Sequence, residues 1–144
     1  MINDLSTHKE AIFQTLQAEP YANFLGIKLL SAEDGRAIAE LMPTENMVNS
    51  HGTVHGGVIF SIADFVFAAA SNSYGQIAVG VNNNINYLIA AIPNKLLRAE
   101  ATEVRRTRKL AWYSIKVFSG EELVATMEAM VYIKSEYFIK DIEI

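Results

Sequence analysis

Hydrophobic residues recur at every second position along four successive segments in the second half of the chain. The first carries Ile77, Val79, Val81, Ile85, Tyr87 and Ile89, with Asn83 as the single polar interruption. Leu97, Ala99 and Ala101 follow, then Ala111, Tyr113, Ile115 and Val117. The last segment places Leu123, Ala125, Met127, Ala129, Val131 and Ile133 on one face. A period of two turns one strand face toward a core, so the pattern predicts an antiparallel sheet. Two earlier strands, Ile27 to Ala32 and Arg36 to Met42, form a hairpin around Glu33-Asp34-Gly35, and Pro43 ends the second. Ile12, Phe13 and Leu16 fall at helical spacing, which predicts an amphipathic helix over about 4–18, stopping before Pro20. Tyr21 to Gly26 reads as a connector, and the tail over 135–144 shows no pattern.

Between the hairpin and the four strands the periodicity changes. From Gly56 to about Ser73 the chain is apolar on almost every side of a helix, up to a stop near Gly75. One such helix and about six strands predict an α+β fold in which a sheet wraps the helix. At 144 residues, 51% hydrophobic and 19% charged, one globular domain over 1–144 is expected, with its core over about 20–134. A net charge of −4 supplies no basic face for nucleic acid. The absence of cysteine excludes disulfides, thiolate metal sites and a cysteine nucleophile. The run Val58 to Ala70 contains Ser61 and Asp64 and is too short and polar to cross a bilayer. Met1 to Glu10 lacks the apolar stretch of a secretory signal. A cytoplasmic protein with no membrane partner is expected.

The chemistry concentrates where the helix begins, at Asn49-Ser50-His51-Gly52-Thr53-Val54-His55-Gly56-Gly57. Gly56 and Gly57 lack a Cβ, and the first amides of a helix lack intrahelical acceptors. Such a terminus suits an oxyanion or a polarised carbonyl, or else only lets the helix start pack tightly. His55 is a ligand, an acid–base group or a residue that fixes the loop, the last being favoured. His51 lies four residues away, but no third ligand accompanies the pair, so no metal site is expected. Asp64 sits amid apolar residues, with Ser61 and Ser71 on its helical stripe. A desolvated carboxylate is costly, so Asp64 is either neutralised by a partner or kept for chemistry. Gly57 and Asp64 are seven residues apart on one helix, roughly 10 Å. They cannot both touch one carbonyl within a subunit; acting on one bond, they must come from two chains. Arg105-Arg106-Thr107-Arg108-Lys109 is either a solvated turn or a holder of phosphates.

The spacing of Asn49, His55-Gly56-Gly57 and Asp64 resembles that of hotdog-fold acyl-CoA thioesterases of the PaaI type. The segment Ala68 to Gly75 and Ala78-Val79 share the likeness, which covers about residues 20–134. The resemblance implies a hotdog fold, a curved antiparallel sheet around one long apolar helix. It implies hydrolysis of an acyl-CoA thioester to free acid and coenzyme A, with no cofactor, coenzyme A being part of the substrate. The Gly56 amide would polarise the carbonyl, Asn49 help place it and His55 hold the loop. Asp64 of a partner subunit would act as general base or nucleophile. Gly57, Ser61, Asn82, Asn84, Arg105, Arg106, Arg108 and Lys109 would contact substrate. Some relatives carry a serine where Gly80 stands; Asn82 or Asn84, on the same strand face, are candidate substitutes. The assembly implied is a homodimer or a homotetramer built from dimers. Two rival readings are a hotdog hydratase or dehydratase, in which His55 works with a carboxylate, and a non-catalytic acyl-CoA-binding module.

Overall fold

The computed structural model describes residues 5–139, so residue 4 at the start of the predicted N-terminal helix and residues 140–144 of the tail lie outside the described residues. Helices α1 (Leu5–Gln17) and α2 (Pro20–Leu25) precede the hairpin of β1 (Lys28–Glu33) and β2 (Arg36–Leu41). A 3₁₀ turn at Glu45–Met47 leads into a loop and then α3 (Gly56–Ser71). The strands β3 (Gln76–Tyr87), β4 (Leu97–Arg106), β5 (Leu110–Ser119) and β6 (Glu122–Tyr137) follow. All six strands form one sheet in the order β1-β2-β4-β5-β6-β3, with every neighbouring pair antiparallel. The helix α3 touches all six strands, which is the wrapped arrangement expected from the alternation. Among the described residues no helix is long and apolar enough to cross a membrane.

Packing explains why the inward strand positions are so often alanine. Ala37, Ala39, Ala99, Ala101, Ala111 and Ala125 are all buried under α3. Their small side chains let the helix lie close, and Ile59, Ile62, Val66 and Phe67 of α3 fill the space between. The Phe67 ring meets Tyr113 of β5 edge-on, with centroids 5.6 Å apart. Among the less buried residues of α3, Gly57, Ser61, Asp64 and Ala68 form one stripe away from this core. Ser71 does not share that exposure; it is buried, and its hydroxyl donates to Ala68 O.

Two expectations need correction. The connector over Tyr21 to Gly26 is the short helix α2, with Pro20 in its first turn and Gly26 in a left-handed C-cap (φ 87°). Proline inside the start and glycine past the end are the marks of a helix too short to show periodicity. The alternation expected along β3 holds only in its second half. The irregularity at Gly80/Asn82 inserts one residue of β3 opposite β6, and at Gln76/Ala78 the extra residues lie on β6. Ala78 and Gly80 therefore face the core opposite Ile133 and Val131, and beyond the bulge Asn83, Ile85 and Tyr87 do so opposite Ala129, Met127 and Ala125. One inserted residue changes the facing parity of every position after it. Val79 and Val81 accordingly are exposed rather than buried.

The hairpin turn shows how tightly the far end of the sheet is locked. Asp34 and Gly35 both have positive φ (52° and 77°), as a two-residue hairpin turn requires. The Gly35 N–H donates to the buried Ser73 hydroxyl at 2.9 Å, and a Cβ on Gly35 would lie 2.9 Å from both Glu103 Cβ and Tyr74 Oη. Gly35→Ala should therefore lose at least the roughly 1–2 kcal/mol that a side chain in the left-handed region costs. Denaturant unfolding will read this directly; a variant as stable as wild type would contradict the packing described here.

Candidate active site

The loop before α3 is fixed by its own polar side chains. Asn49 Oδ1 accepts from the N–H groups of His51 (2.9 Å) and Thr53 (3.2 Å), and Asn49 Nδ2 donates to Thr53 Oγ1 at 2.9 Å. The His55 N–H donates to Met47 O, tying the loop end back to its beginning. His55 is the N-cap of α3, and its Nδ1 accepts from the Gly57 N–H at 2.8 Å. An imidazole replaces the usual hydroxyl or carboxamide in this role. The Gly57 amide is thereby engaged, whereas the Gly56 N–H finds no acceptor among the described residues. It opens beside a cleft of about 340 Å³ whose walls include Asn49, Ile59, Tyr87 and Leu88. The cleft thus joins a mixed polar and apolar lining to a free donor at the positive end of a helix.

Asp64 lies eight residues further along α3, half-buried. Its Oδ1 accepts from Asn83 Nδ2 at 3.2 Å, and no cation pairs with it among the described residues. Burial raises its pKa above the ordinary 3.8, and the Asn83 hydrogen bond only partly opposes this. Among the described residues neither a hydroxyl nor an arginine neutralises it. One turn earlier Ser61 Oγ donates to Gly57 O (2.7 Å) and meets Tyr21 Oη of α2 at 3.0 Å. Glu19, at the N-cap of α2, is held above the ordinary carboxylate range by burial and then by the Asp64 charge. The short helix α2 thus docks on the polar stripe of α3.

Not every residue singled out from the sequence comes to this place. Asn82 and Asn84 sit opposite Met130 and Glu128, on the sheet face turned away from α3, because of the bulge after Gly80. There they line a separate depression with Trp112 and Ser114. Asn83 is the strand residue that reaches Asp64, and its one visible trace in the sequence is that it interrupts an apolar alternation. Gly80 faces α3, where a Cβ would come within 3.2 Å of Phe67. Arg106 is committed elsewhere: its guanidinium lies 4.0 Å over the Tyr74 ring, with Nη2 on Gln76 Oε1 and Nη1 3.9 Å from Glu103. Arg105, Arg108 and Lys109 remain exposed at the β4–β5 turn, close to the start of β3 and so at the opposite end of α3 from Gly56. His51 is exposed, and among the described residues no group of three possible metal ligands occurs.

Known proteins resemble both the chain and its fold. The family model described as Thioesterase superfamily matches residues 51–126. A putative esterase of Archaeoglobus fulgidus is 33% identical over 138 residues, covering 95% of this chain and 84% of the relative. Acyl-coenzyme A thioesterase PaaI of Escherichia coli is 33% identical over 101 residues, 70% of this chain and 72% of that one. The solved structure of E. coli PaaI, from the phenylacetic acid degradation operon, superposes with a TM-score of 0.85 at 28% identity, covering 90% of this chain and 96% of that one. The chain belongs to the thioesterase superfamily, as a hydrolase with the hotdog fold of its PaaI-like members.

The environment of Asp64 makes a stability prediction. Below its ordinary pKa of 3.8 the carboxyl is neutral in both folded and unfolded chains. As pH rises the unfolded chain ionises first, so folding loses free energy until pH passes the raised folded value. Asp64→Asn keeps an oxygen for Asn83 and removes the charge. Its melting temperature at pH 7 should equal or exceed that of wild type, with any gain shrinking toward pH 3. A variant much less stable than wild type at pH 7 would mean that the carboxylate holds the fold together.

Proposed function

We propose that the chain hydrolyses acyl-coenzyme A thioesters in a site shared by two copies. The observation that carries this reading is the free Gly56 N–H at one end of α3 with an uncompensated carboxyl eight residues along it. The rise of a helix separates the two by roughly 12 Å. One copy's amide and the other copy's carboxylate can flank a single thioester where one copy's pair cannot. The Gly56 N–H donates a hydrogen bond to the thioester oxygen and stabilises it as negative charge develops. Asp64 removes a proton from water as the water oxygen bonds the carbonyl carbon. The tetrahedral intermediate then collapses, the C–S bond breaks, and the proton held by Asp64 passes to the leaving sulfur. Acid and coenzyme A are the products, and no cofactor enters.

The sheet supplies a surface for the second copy. As an edge strand of 12 residues, β3 leaves one row of backbone groups unpaired and exposes Val79 and Val81. Long uncharged edges of this kind invite pairing with another chain. The exposed Arg105, Arg108 and Lys109 are suited to the phosphates of coenzyme A, whereas Arg106 is held by Tyr74 and Gln76. A charged, water-soluble substrate fits the cytoplasmic setting expected from the sequence. Hydration or dehydration would require His55 to exchange a proton at carbon, yet His55 Nδ1 is the cap of α3.

Thiol release from a panel of aliphatic, aryl and aryl-acetyl coenzyme A thioesters tests the proposal. Wild type should release thiol from at least one class, and Asp64→Asn should lose roughly 10²–10⁴-fold in turnover while remaining folded. Gly56→Ala should fold normally, because its Cβ would meet Tyr87 at an ordinary 3.5 Å, and should lose turnover by crowding the carbonyl. Tight binding of the whole panel without release would instead identify a binding module.

A further inference from the structure

Gly56 and Gly57 form the most permissive stretch of backbone in the chain, yet an oxyanion donor is effective only when fixed before charge develops. The peptide joining these two glycines is held at both ends by side chains. Its N–H donates to His55 Nδ1 at 2.8 Å, and its carbonyl accepts from Tyr87 Oη at 3.2 Å. The Tyr87 ring lies against Gly56, 3.5 Å from where a Cβ would stand, and forms part of the wall of the cleft. Its own position is set by the end of β3: Tyr87 faces the core side opposite Ala125, and the next residue, Leu88, donates its N–H to Val124 O. The segment continues to Ala91, whose carbonyl accepts from the Val54 N–H at 2.7 Å. The loop before α3 and the chain after β3 therefore close into one frame, with Gly56 inside it.

We propose that Tyr87 is a positioning residue for the Gly56 amide. Its hydroxyl fixes the peptide that follows Gly56 and so aims the free N–H at the substrate carbonyl. Ile85, its neighbour on the same face of β3, is apolar, and at 52% exposure Tyr87 is not needed to fill the core. The role rests on the hydrolysis proposed above, because a donor is worth aiming only if an oxygen arrives in front of it.

The test compares wild type with Tyr87→Phe, which keeps the ring and removes the hydroxyl. The acyl group is the one that wild type hydrolyses fastest, or phenylacetyl if none is hydrolysed. With it, kcat should fall about tenfold, less than the roughly 10²–10³-fold typical of losing an oxyanion donor outright, while KM and melting temperature stay near wild type. Two inert coenzyme A analogues then separate aiming from packing. A ketone analogue, with CH₂ in place of the thioester sulfur, keeps the carbonyl; an S-alkyl thioether lacks it. Tyr87→Phe should weaken the ketone several-fold and leave the thioether unchanged. Equal weakening of both, or unchanged kcat and ketone affinity, would overturn the assignment. If wild type releases no thiol at all, the hydrolase proposal fails by that result, and the ketone-to-thioether ratio still decides the role of Tyr87.

Discussion

A helix does not shorten, and that fixes the distance between the two groups at its candidate site. Gly56 opens α3 and Asp64 lies eight residues in, so the free amide and the carboxyl are held roughly 12 Å apart. Neither can drift toward the other, because α3 is packed against all six strands. Two groups suited to one reaction are kept apart by the element that carries them. Under the proposed pairing a two-fold axis exchanges Gly56 of one copy with Asp64 of the other. Phe60, midway between them, then comes closest to the axis. The free edge of β3, on the side of the sheet away from β1, offers a row of backbone hydrogen-bonding groups for the same second copy.

The properties of the two groups follow from their neighbours. The Gly56 N–H is free because the adjacent donors are not: His55 takes the Gly57 amide and Asn49 takes those of His51 and Thr53. Asn49, whose resemblance-based role is to place the substrate carbonyl, here has its carboxamide oxygen engaged within the loop. Asp64 holds a proton more tightly than a free carboxyl because burial raises its pKa and, among the described residues, a neutral carboxamide faces it and no cation does. A guanidinium in place of Asn83 would stabilise the charge and weaken the base. Under the proposed chemistry, activity and stability pull against each other at Asp64.

Much of this was legible in the sequence where a pattern is long. The alternation of β4, β5 and β6 and the continuous apolar run of α3 predicted a wrapped sheet, because many residues repeat one period. The spacing of His55, Gly56 and Asp64 pointed to the candidate site because the three lie on a single element whose geometry is known. What failed was local. One bulge after Gly80 reversed the facing of the positions beyond it, so Asn82 and Asn84 were expected where Asn83 stands. The helix α2 is six residues long, less than two turns, and periodicity cannot register over that length. In the basic run, nothing in composition distinguishes Arg106, which stacks on Tyr74, from its exposed neighbours. Tyr87 looked like one more apolar position in a strand, since its hydroxyl meets a residue 31 positions away.

The central claim is that each site takes Gly56 from one copy and Asp64 from the other, and mixing two impaired variants tests it most directly. Gly56→Ala and Asp64→Asn chains are co-refolded or co-expressed in equal amounts and assayed for thiol release. In a mixed dimer, one site would carry both substitutions and the other neither. With random pairing, half the dimers are mixed, so about a quarter of wild-type activity should return. Mixed dimers confirmed by mass spectrometry that show no recovery would place both groups within one chain's site and contradict the account.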